Sequence, residues 1–578
     1  MPSSLLLLPR TLPHSIQLSV RTTAHWIARM KLSHEQPNTP PDSSSPPDHP
    51  PHFTELREGD ATALYRKPHV FYNPAQVVNR DLSVLLLRWL TRQPPFLTPG
   101  QPQRQLRVLE ALSATGLRSV RYFKEVDHVA NVTANDNDQN AVRTITLNVK
   151  HNGLNLQQVT PSHADANTLM ACSKQPSTQF DVVDLDPYGS AAPFLESAVQ
   201  SVAHGGLLAV TCTDLAVLCG NSPEICFARY SSTPLKGAAA HEMAVRIVLA
   251  AIQTAANRHG KAVVPVLCVK IDFYVRLFVR VLHSRQLAQR TACNMSFVLQ
   301  CADCATHRFQ PLGRAKQFAT GSNNKRRRAD DPDASKAQPQ SPAAQTHHKF
   351  YSALASAHLS HTCSVCQGKM LVGGPIWNGA LIGEGVAESL LSEIDSGVGN
   401  FKARERVSAI VRLLDEEVCT PLFLHLPSMC KALQVSPPPA AAVRHFLAQK
   451  GYQVSQSHTD PQAIKTDADP QLVWDVLRVW ARKQARGGST TGTSAKKRKA
   501  AGGADRPAVA QRIMEKEGCL VEEDEIDFSV KRDKFVRRGQ SIDKGVRFPL
   551  NPEPNWGPKA RAGKRKKEGD DDQAPSAV

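Results

Sequence analysis

Several things are scarce or missing in this chain of 578 residues, and each absence excludes something. No run of about 18 apolar residues occurs, so nothing reads as a helix that spans a bilayer. Cysteine is thinly spread, 13 in all, and the only close pairs are CADC and CSVC. That pattern argues against a disulfide framework and for a reducing compartment with a metal site. Acidic residues are outnumbered 70 to 52 by Lys and Arg, giving a formal charge of +18 and a pI near 9.4, so a polyanionic partner is expected. No Asp or Glu occurs before Glu35, whereas Arg10, Arg21, Arg29 and Lys31 lie among Ser, Thr and Leu. Such a composition matches an organelle transit peptide. Basic clusters at 325–328 (KRRR), 496–499 (KKRK) and 564–567 (KRKK) read as nuclear import signals, so a dual address, nucleus and mitochondrion, is expected.

Composition shifts divide the chain. Residues 1–52 are a targeting leader and a linker too rich in Pro and Ser to fold; 53–288 alternate strand-like and helical runs, the signature of an α/β sheet covered by helices. Strands are predicted at QLRVLEAL, ANVTAND, FDVVDLD, GLLAVTCTD and AVVPVLCVKI, with FYVRLFVRVL as an antiparallel partner of the last. Helices are predicted at GLRSVRYFKEV, DQNAVRTITLNVKHNG, AAPFLESAVQSVAHG and HEMAVRIVLAAIQTAANRHG. Residues 289–485 form a second unit around the cysteine pairs, interrupted by a polar insert at 315–346, and 486–578 read as a basic, mostly disordered tail.

In doubly wound sheets ligands sit beyond the carboxyl ends of the strands. The first such end, LEALSATGLRS at 109–119, has small residues and Arg118 but not the glycine spacing of a pyrophosphate site. The second strand ends at Asn135 and Asp136, 26 residues after Glu110, where an acid can accept both ribose hydroxyls of an adenosyl group. Asp165 stands where a contact to the adenine amine would arise. Each acid alone also reads as a helix cap; together, in order, they look like the S-adenosylmethionine-dependent methyltransferase fold, Rossmann-like with a seven-stranded sheet.

At the fourth strand tip stands DLDPYGS, residues 184–190. D-P-P-Y and its relatives bind planar nitrogens: the carboxylate and a carbonyl accept the amino hydrogens, and the ring stacks on the base. Acceptors aimed at those hydrogens offset the charge that grows on nitrogen during attack, a benefit confined mainly to the transition state. As a bare turn the same residues would be ordinary, since Asp-Pro and Gly are common there.

Five stretches then carry a resemblance: HVFYNPAQVVNRDLSV, LEALSATGLRSVRY, ANDNDQNAV, DLDPYGSAAPFL and VTCTDLAVLCG, followed by CADC, CSVC, GPIWNGAL and SHTDPQAIKTDAD. The chain resembles the tRNA guanine-26 N2-dimethyltransferases over roughly residues 54–480. That resemblance implies that Arg80 contacts the methionine end of the cofactor and that Phe71 walls the guanine pocket. It implies Arg118, Asp136, and Asp165 with Ala166 as further cofactor contacts, Asp186 as the catalytic carboxylate and Tyr188 as the stacking ring. Asp184, one layer lower on the strand, is expected to support Asp186. Two rivals are a methyltransferase for another planar nitrogen, such as adenine N6 or a glutamine amide, and a non-catalytic RNA-binding protein on the same fold.

The pairs Cys301 with Cys304 and Cys363 with Cys366 each bend a knuckle that presents two thiolates to one ion, so a structural zinc is expected, in a smaller α+β C-terminal domain that holds tRNA. The gap from Cys304 to Cys363 is longer than a compact ribbon needs, but loop-closure cost grows slowly with length. His307 and His361 are lesser candidates. Cys212, Cys219, Cys226 and Cys268, and Trp89, Trp474 and Trp480, read as packing residues. Arg276 and Arg280 share one face of a strand and read equally as a solvated sheet edge or as phosphate contacts. No membrane partner and no obligate protein partner is evident.

Overall fold

The structure, a computed structural model, describes residues 53–65, 72–319, 346–356, 359–487, 506–530 and 548. The leader, the three basic clusters and Phe71 lie outside the described residues.

The described chain begins with a hairpin, β1 (Thr54–Glu58) and β2 (Ala61–Tyr65). Asn73 then accepts a bond from the amide of Ala75, and Pro74 opens the turn that leads into α1 (Val77–Thr91). The alternation that follows is β3 (Leu106–Glu110), α2 (Leu117–Glu125), β4 (Val129–Asp136), α3 (Gln139–His151), β5 (Val159–His163), α4 (Ala166–Cys172) and β6 (Phe180–Leu185). It continues through α5 (Leu195–Ser201), β7 (Val202–Cys212), α6 (Pro223–Tyr230), α7 (Ala240–Arg258), β8 (Ala262–Ile271) and β9 (Tyr274–Leu282).

These strands form one seven-stranded sheet in the order β5-β4-β3-β6-β7-β9-β8, with β9 antiparallel to both neighbours. The chain runs outward from β3 through β4 to β5, then returns to place β6 on the other side of β3. That reversal opens a crevice at the carboxyl ends of β3 and β6, where such sheets bind ligands. All six expected strands are present. β5 carries VTPSH, whose polar alternation hid it, and the helix expected over AAPFLESAVQSVAHG stops at Ser201 because Val202 already pairs with Phe180 of β6.

Strands buried on both faces read as unbroken apolar runs. Val108, Val182 and Ala209 face one apolar layer with Leu82 and Leu86 of α1, and Leu109, Val183 and Val210 face the other with Ile247 and Val248 of α7. Later residues complete both layers: Ile376 and Trp377 on one side, Leu390 and Val411 on the other.

Beyond 290, β10 (Met295–Cys301) lies between β11 (His307–Pro311) and β14 (Met370–Trp377), and the ribbon of β12 (Gly313–Ala319) with β13 (Thr346–Ser352) stands between them in sequence. Helices α8 (Val386–Asp395), α9 (Arg404–Glu416), α10 (Leu426–Leu433), α11 (Ala440–Gln449) and α12 (Pro470–Gly487) follow, with a small sheet of β15 (Leu424–His425), β16 (Val454–Ser457) and β17 (Asp460–Thr466). Within the stretch read as a disordered tail, residues 506–530 contain α13 (Arg506–Glu515) and bury Val509, Ile513, Val521, Ile526 and Phe528 in a third apolar cluster with the cysteine pairs and Trp474. No helix among the described residues is long and apolar enough to cross a membrane.

Candidate active site

The site grows from the tips of β3, β4 and β6. After β3, the turn at 113–116 is closed by a bond from the amide of Gly116 to the carbonyl of Ser113 (2.8 Å), with Ala114 and Gly116 both at positive φ. A side chain at Gly116 would also press on Ile145 at 3.1 Å, so glycine serves both the backbone and the packing there. Asp136, half-buried at the end of β4, accepts from the amides of Ala114 (2.9 Å) and Asp138 (3.0 Å). Asp165 caps α4 by accepting from the amide of Thr168 (2.8 Å), and Ala166 behind it is buried. A carboxylate has about four acceptor positions, so both acids keep capacity for hydroxyl or amine donors. Two acids and a small-residue turn on one sheet edge fit an adenosyl group.

At the crevice itself the charges are dense. Arg118, at the start of α2 and buried, extends one nitrogen to Asp184 (3.1 Å) and another to Oδ2 of Asp186, and its Nε lies 3.5 Å from Glu110. Asp184, fully buried, also accepts from Tyr122 and twice from Arg276 (2.8 Å each). Burial alone would raise the Asp184 carboxyl, but Arg276 and Arg118 outweigh it and hold the group far below the usual carboxylate range. Glu110 goes the other way: burial outweighs Arg118 and Ser119 and pushes it up to about 7.

Arg276 corrects the sequence reading. β9 is not a sheet edge but lies between β7 and β8, and the guanidinium is fully buried, reaching past Thr211 of β7 (2.9 Å) to Asp184 and donating also to Ser83 of α1 (2.8 Å). Arg280 donates to the carbonyl of Gly205 (3.0 Å) rather than presenting itself to a phosphate.

Arg80 joins a second cluster that the sequence did not disclose. It grips Glu58 of β1 through two bonds of 2.6 Å, and Arg121 (2.8 Å) and the Tyr72 hydroxyl (3.1 Å) converge on the same carboxylate. Burial raises Glu58, but Arg80 and Arg121 bring it down to about 2. The only signal in sequence was a Glu within a hairpin of otherwise mixed polarity, which marks no function.

Asp186 is 17% exposed, Pro187 is buried, and Tyr188 projects from the tip at 57% exposed. Gly189 (φ +84) turns the chain, donating its amide to Thr213 Oγ1 and accepting from the amide of Thr213, both at 2.8 Å. The loops after β6 and β7 are thereby latched together. Tyr230 of α6 extends the latch, its hydroxyl 2.7 Å from Ser190 and 2.9 Å from Asp214.

The second candidate centre lies at the end of β10. Cys301, Cys304, Cys363 and Cys366 are all buried, and their sulfurs lie within 4.8 Å of one another. Cross-pair separations are 3.4 Å for Cys301 with Cys366 and 3.6 Å for Cys304 with Cys363. A tetrahedron with about 2.3 Å metal–sulfur bonds has edges of about 3.8 Å, so the four thiols fit a zinc ion. The knuckles match each other: the amides of Ala305 and Gln367 return to the carbonyls of Cys301 and Cys363, and both residues adopt positive φ. The long gap between the pairs leaves the site compact because β12 and β13 pair in register from Gly313 with Ser352 to Ala319 with Thr346. His307 is buried, stacks edge-on against Phe309, and stays outside the thiol cluster, as does His361.

Comparison with known proteins agrees with this geometry. The family described as N2,N2-dimethylguanosine tRNA methyltransferase matches residues 53–478. A tRNA (guanine(26)-N(2))-dimethyltransferase 2 of Arabidopsis thaliana is 33% identical over 89% of this chain and 89% of its own length. The human tRNA (guanine(26)-N(2))-dimethyltransferase is 32% identical over 88% of this chain and 78% of its own. Among solved structures, Trm1 from Pyrococcus horikoshii in complex with S-adenosyl-L-methionine superposes with a TM-score of 0.57 at 25% identity, covering 73% of this chain and 98% of that one. With its seven-stranded sheet, the latched Asp-Pro-Tyr-Gly tip and a family match across most of its length, the chain belongs to the N2,N2-dimethylguanosine tRNA methyltransferases.

Proposed function

We propose that the chain transfers two methyl groups in succession from S-adenosylmethionine to the N2 amine of guanine 26 in tRNA. The observation that carries this reading is Asp186, fixed by Arg118 at the crevice between β3 and β6 with Tyr188 exposed beside it. When bound, S-adenosylmethionine supplies an electrophilic methyl group. Asp136 would hold the ribose hydroxyls, Asp165 and Ala166 the adenine, and Arg80 the methionine end, each from the position described above.

The work of this chain's own residues is to make a poor nucleophile attack. A base amine delocalises its lone pair into the ring. Among the described residues Arg118 is the hydrogen-bond partner of Asp186, on Oδ2, so Oδ1 is left for the amine hydrogen. The Arg118 guanidinium holds that carboxylate in place, and Oδ1 takes up the proton that the nitrogen must lose. Tyr188 stacks on the base after it has left its own stack, as base-modifying enzymes require. A carboxylate held in advance costs no reorganisation at the moment of reaction.

Residues 289–485 would bind the folded RNA by phosphate and shape. The acid-free stretch ahead of Glu35 and the basic clusters support a mitochondrial and nuclear address, tested by imaging fusions with and without residues 1–52. Activity is tested by incubating purified protein with labelled cofactor and unmodified tRNA. Label should enter N2-methylguanosine first and N2,N2-dimethylguanosine later; label absent from both overturns the assignment.

A further inference from the structure

The ribbon of β12 and β13 carries an unusual face. In an antiparallel pair, residues directly opposite share a face, as do residues two apart on one strand. Arg314 lies opposite Tyr351, and Lys316 lies opposite Lys349, two positions along each strand. One face therefore presents three cations around a single ring. The Arg314 guanidinium carbon, the Lys316 nitrogen and the Lys349 nitrogen stand 5.7, 6.0 and 5.6 Å from the Tyr351 ring centre.

Like charges directly opposite each other destabilise a strand pair, and the usual remedy is an acid within reach. Among the described residues none of the three cations forms an ion pair, and Lys316 and Lys349 are exposed. The ring face, rich in negative charge, is what steadies them. Among the described residues no acid on this face offsets the repulsion, so the face is left complementary to an anionic partner.

The ribbon is nevertheless held firmly at its base. The amide of Leu312 donates to Met295 at the start of β10 (2.9 Å), and Ala353 donates back to Leu312 (3.3 Å). Gly313 has no side chain because Phe350 lies across it: an added Cβ would meet that ring at 2.4 Å. β11 and β10 then connect the ribbon directly to the cysteine knuckles. A short, anchored arm with a cationic face fits a sugar–phosphate backbone, whose charges repeat at a spacing that several cations can follow at once.

We propose that Arg314, Lys316 and Lys349 form a phosphate-binding arm that grips the backbone of the tRNA substrate. The inference rests on the tRNA methyltransferase reading, and it deepens it by naming where the RNA is held away from the reacting base. Contacts to phosphate position the substrate and carry no sequence information, so the arm would serve every tRNA alike.

The test is a full-length triple variant, Arg314→Gln, Lys316→Gln and Lys349→Gln, beside the double variant Lys316→Arg and Lys349→Arg, with binding to unmodified tRNA measured from low to moderate salt. Each lost phosphate contact should flatten the slope of log affinity against log salt by about 0.7 to 0.9, so the triple variant should lose roughly 2 to 3 from the slope. Its KM for tRNA should rise about tenfold while kcat and S-adenosylmethionine affinity stay within about twofold, and the charge-preserving double variant should behave as the parent. An unchanged salt slope and KM in the triple variant overturns the arm. A parent protein that binds no tRNA, or methylates none, overturns the underlying functional reading, an outcome the variants do not share.

Discussion

Arg276 and Asp184 meet in the middle of the sheet with both partners fully buried, through two nitrogen–oxygen contacts of 2.8 Å that pass across the intervening strand β7. Asp184 in turn binds Arg118, and Arg118 binds Asp186, so four alternating charges run from the sheet interior to its reactive edge.

Removing the innermost member should cost both stability and rate. Arg276→Met leaves the Asp184 carboxylate buried with fewer partners, and breaking a buried pair from one side typically costs about 3 to 5 kcal/mol. A lowered denaturation midpoint checks the first effect. The double variant Arg276→Met with Asp184→Leu should recover much of that stability but not the methylation rate, because Arg118 would then be less well held.

Changes at the tip should separate chemistry from binding. Asp186→Asn keeps the shape and removes the charge that takes the proton, so kcat should fall roughly 100- to 1000-fold, the scale of losing one preorganised stabilising group. Affinity for S-adenosylmethionine, read by calorimetry, should change little. Tyr188→Phe preserves the stacking face and should stay within about threefold of the parent, whereas Tyr188→Ala should lose substrate turnover.

Two buried glutamates give opposite pH signatures. Glu58 has its pKa brought down to about 2 in the folded chain, against an ordinary value of 4.5, so its stabilisation is complete above about 4.5 and is lost as pH falls toward 2. Glu110 is raised to about 7 instead, so its contribution is complete below about 4.5 and fades as pH rises through 7. Thermal unfolding across this range should therefore show Glu58→Gln flattening the acid side and Glu110→Gln flattening the segment from about 4.5 to 7.

Zinc retention should depend on residues far along the chain. Arg512 of α13 donates to the carbonyl of Cys366 (2.6 Å), and Lys516 donates to that of Ser364 (2.7 Å), so both cations sit on the second knuckle. A chain ending at residue 487 should still bind about one zinc per molecule but release it to a chelator at least several-fold faster. Cys363→Ser should lose the metal outright and make residues 506–530 readily cleaved by protease, since removing the ion loosens what α13 packs against.

Much of this was legible in the residues. Asp136, Asp165 and Asp186 stand out because acids follow successive apolar runs in one order, although each alone would pass for a helix cap or a turn residue. The cysteine knuckles announce themselves because there are two C-x-x-C pairs and neither begins a helix beside a strand as a redox pair would. Arg276 was misread for the opposite reason: alternation in FYVRLFVRV looks like a half-exposed strand, and a partner as far along the chain as Asp184 leaves no local trace. Glu58 was silent likewise, its meaning lying in Arg80 and Arg121 on two different helices. The fold of residues 506–530 was masked by composition, since the few apolar side chains it buries are scattered among charges and Gly.

The order of synthesis gives α13 one more consequence. All four cysteines precede Gln367, so the ribosome has delivered both knuckles long before Arg512 and Lys516 exist. During that interval the second knuckle lacks the two bonds that Arg512 and Lys516 give to the carbonyls of Cys366 and Ser364. The second knuckle therefore receives its last hydrogen-bond partners from a segment made well after its own residues, so its backbone is fixed by the chain's later part rather than by its neighbours.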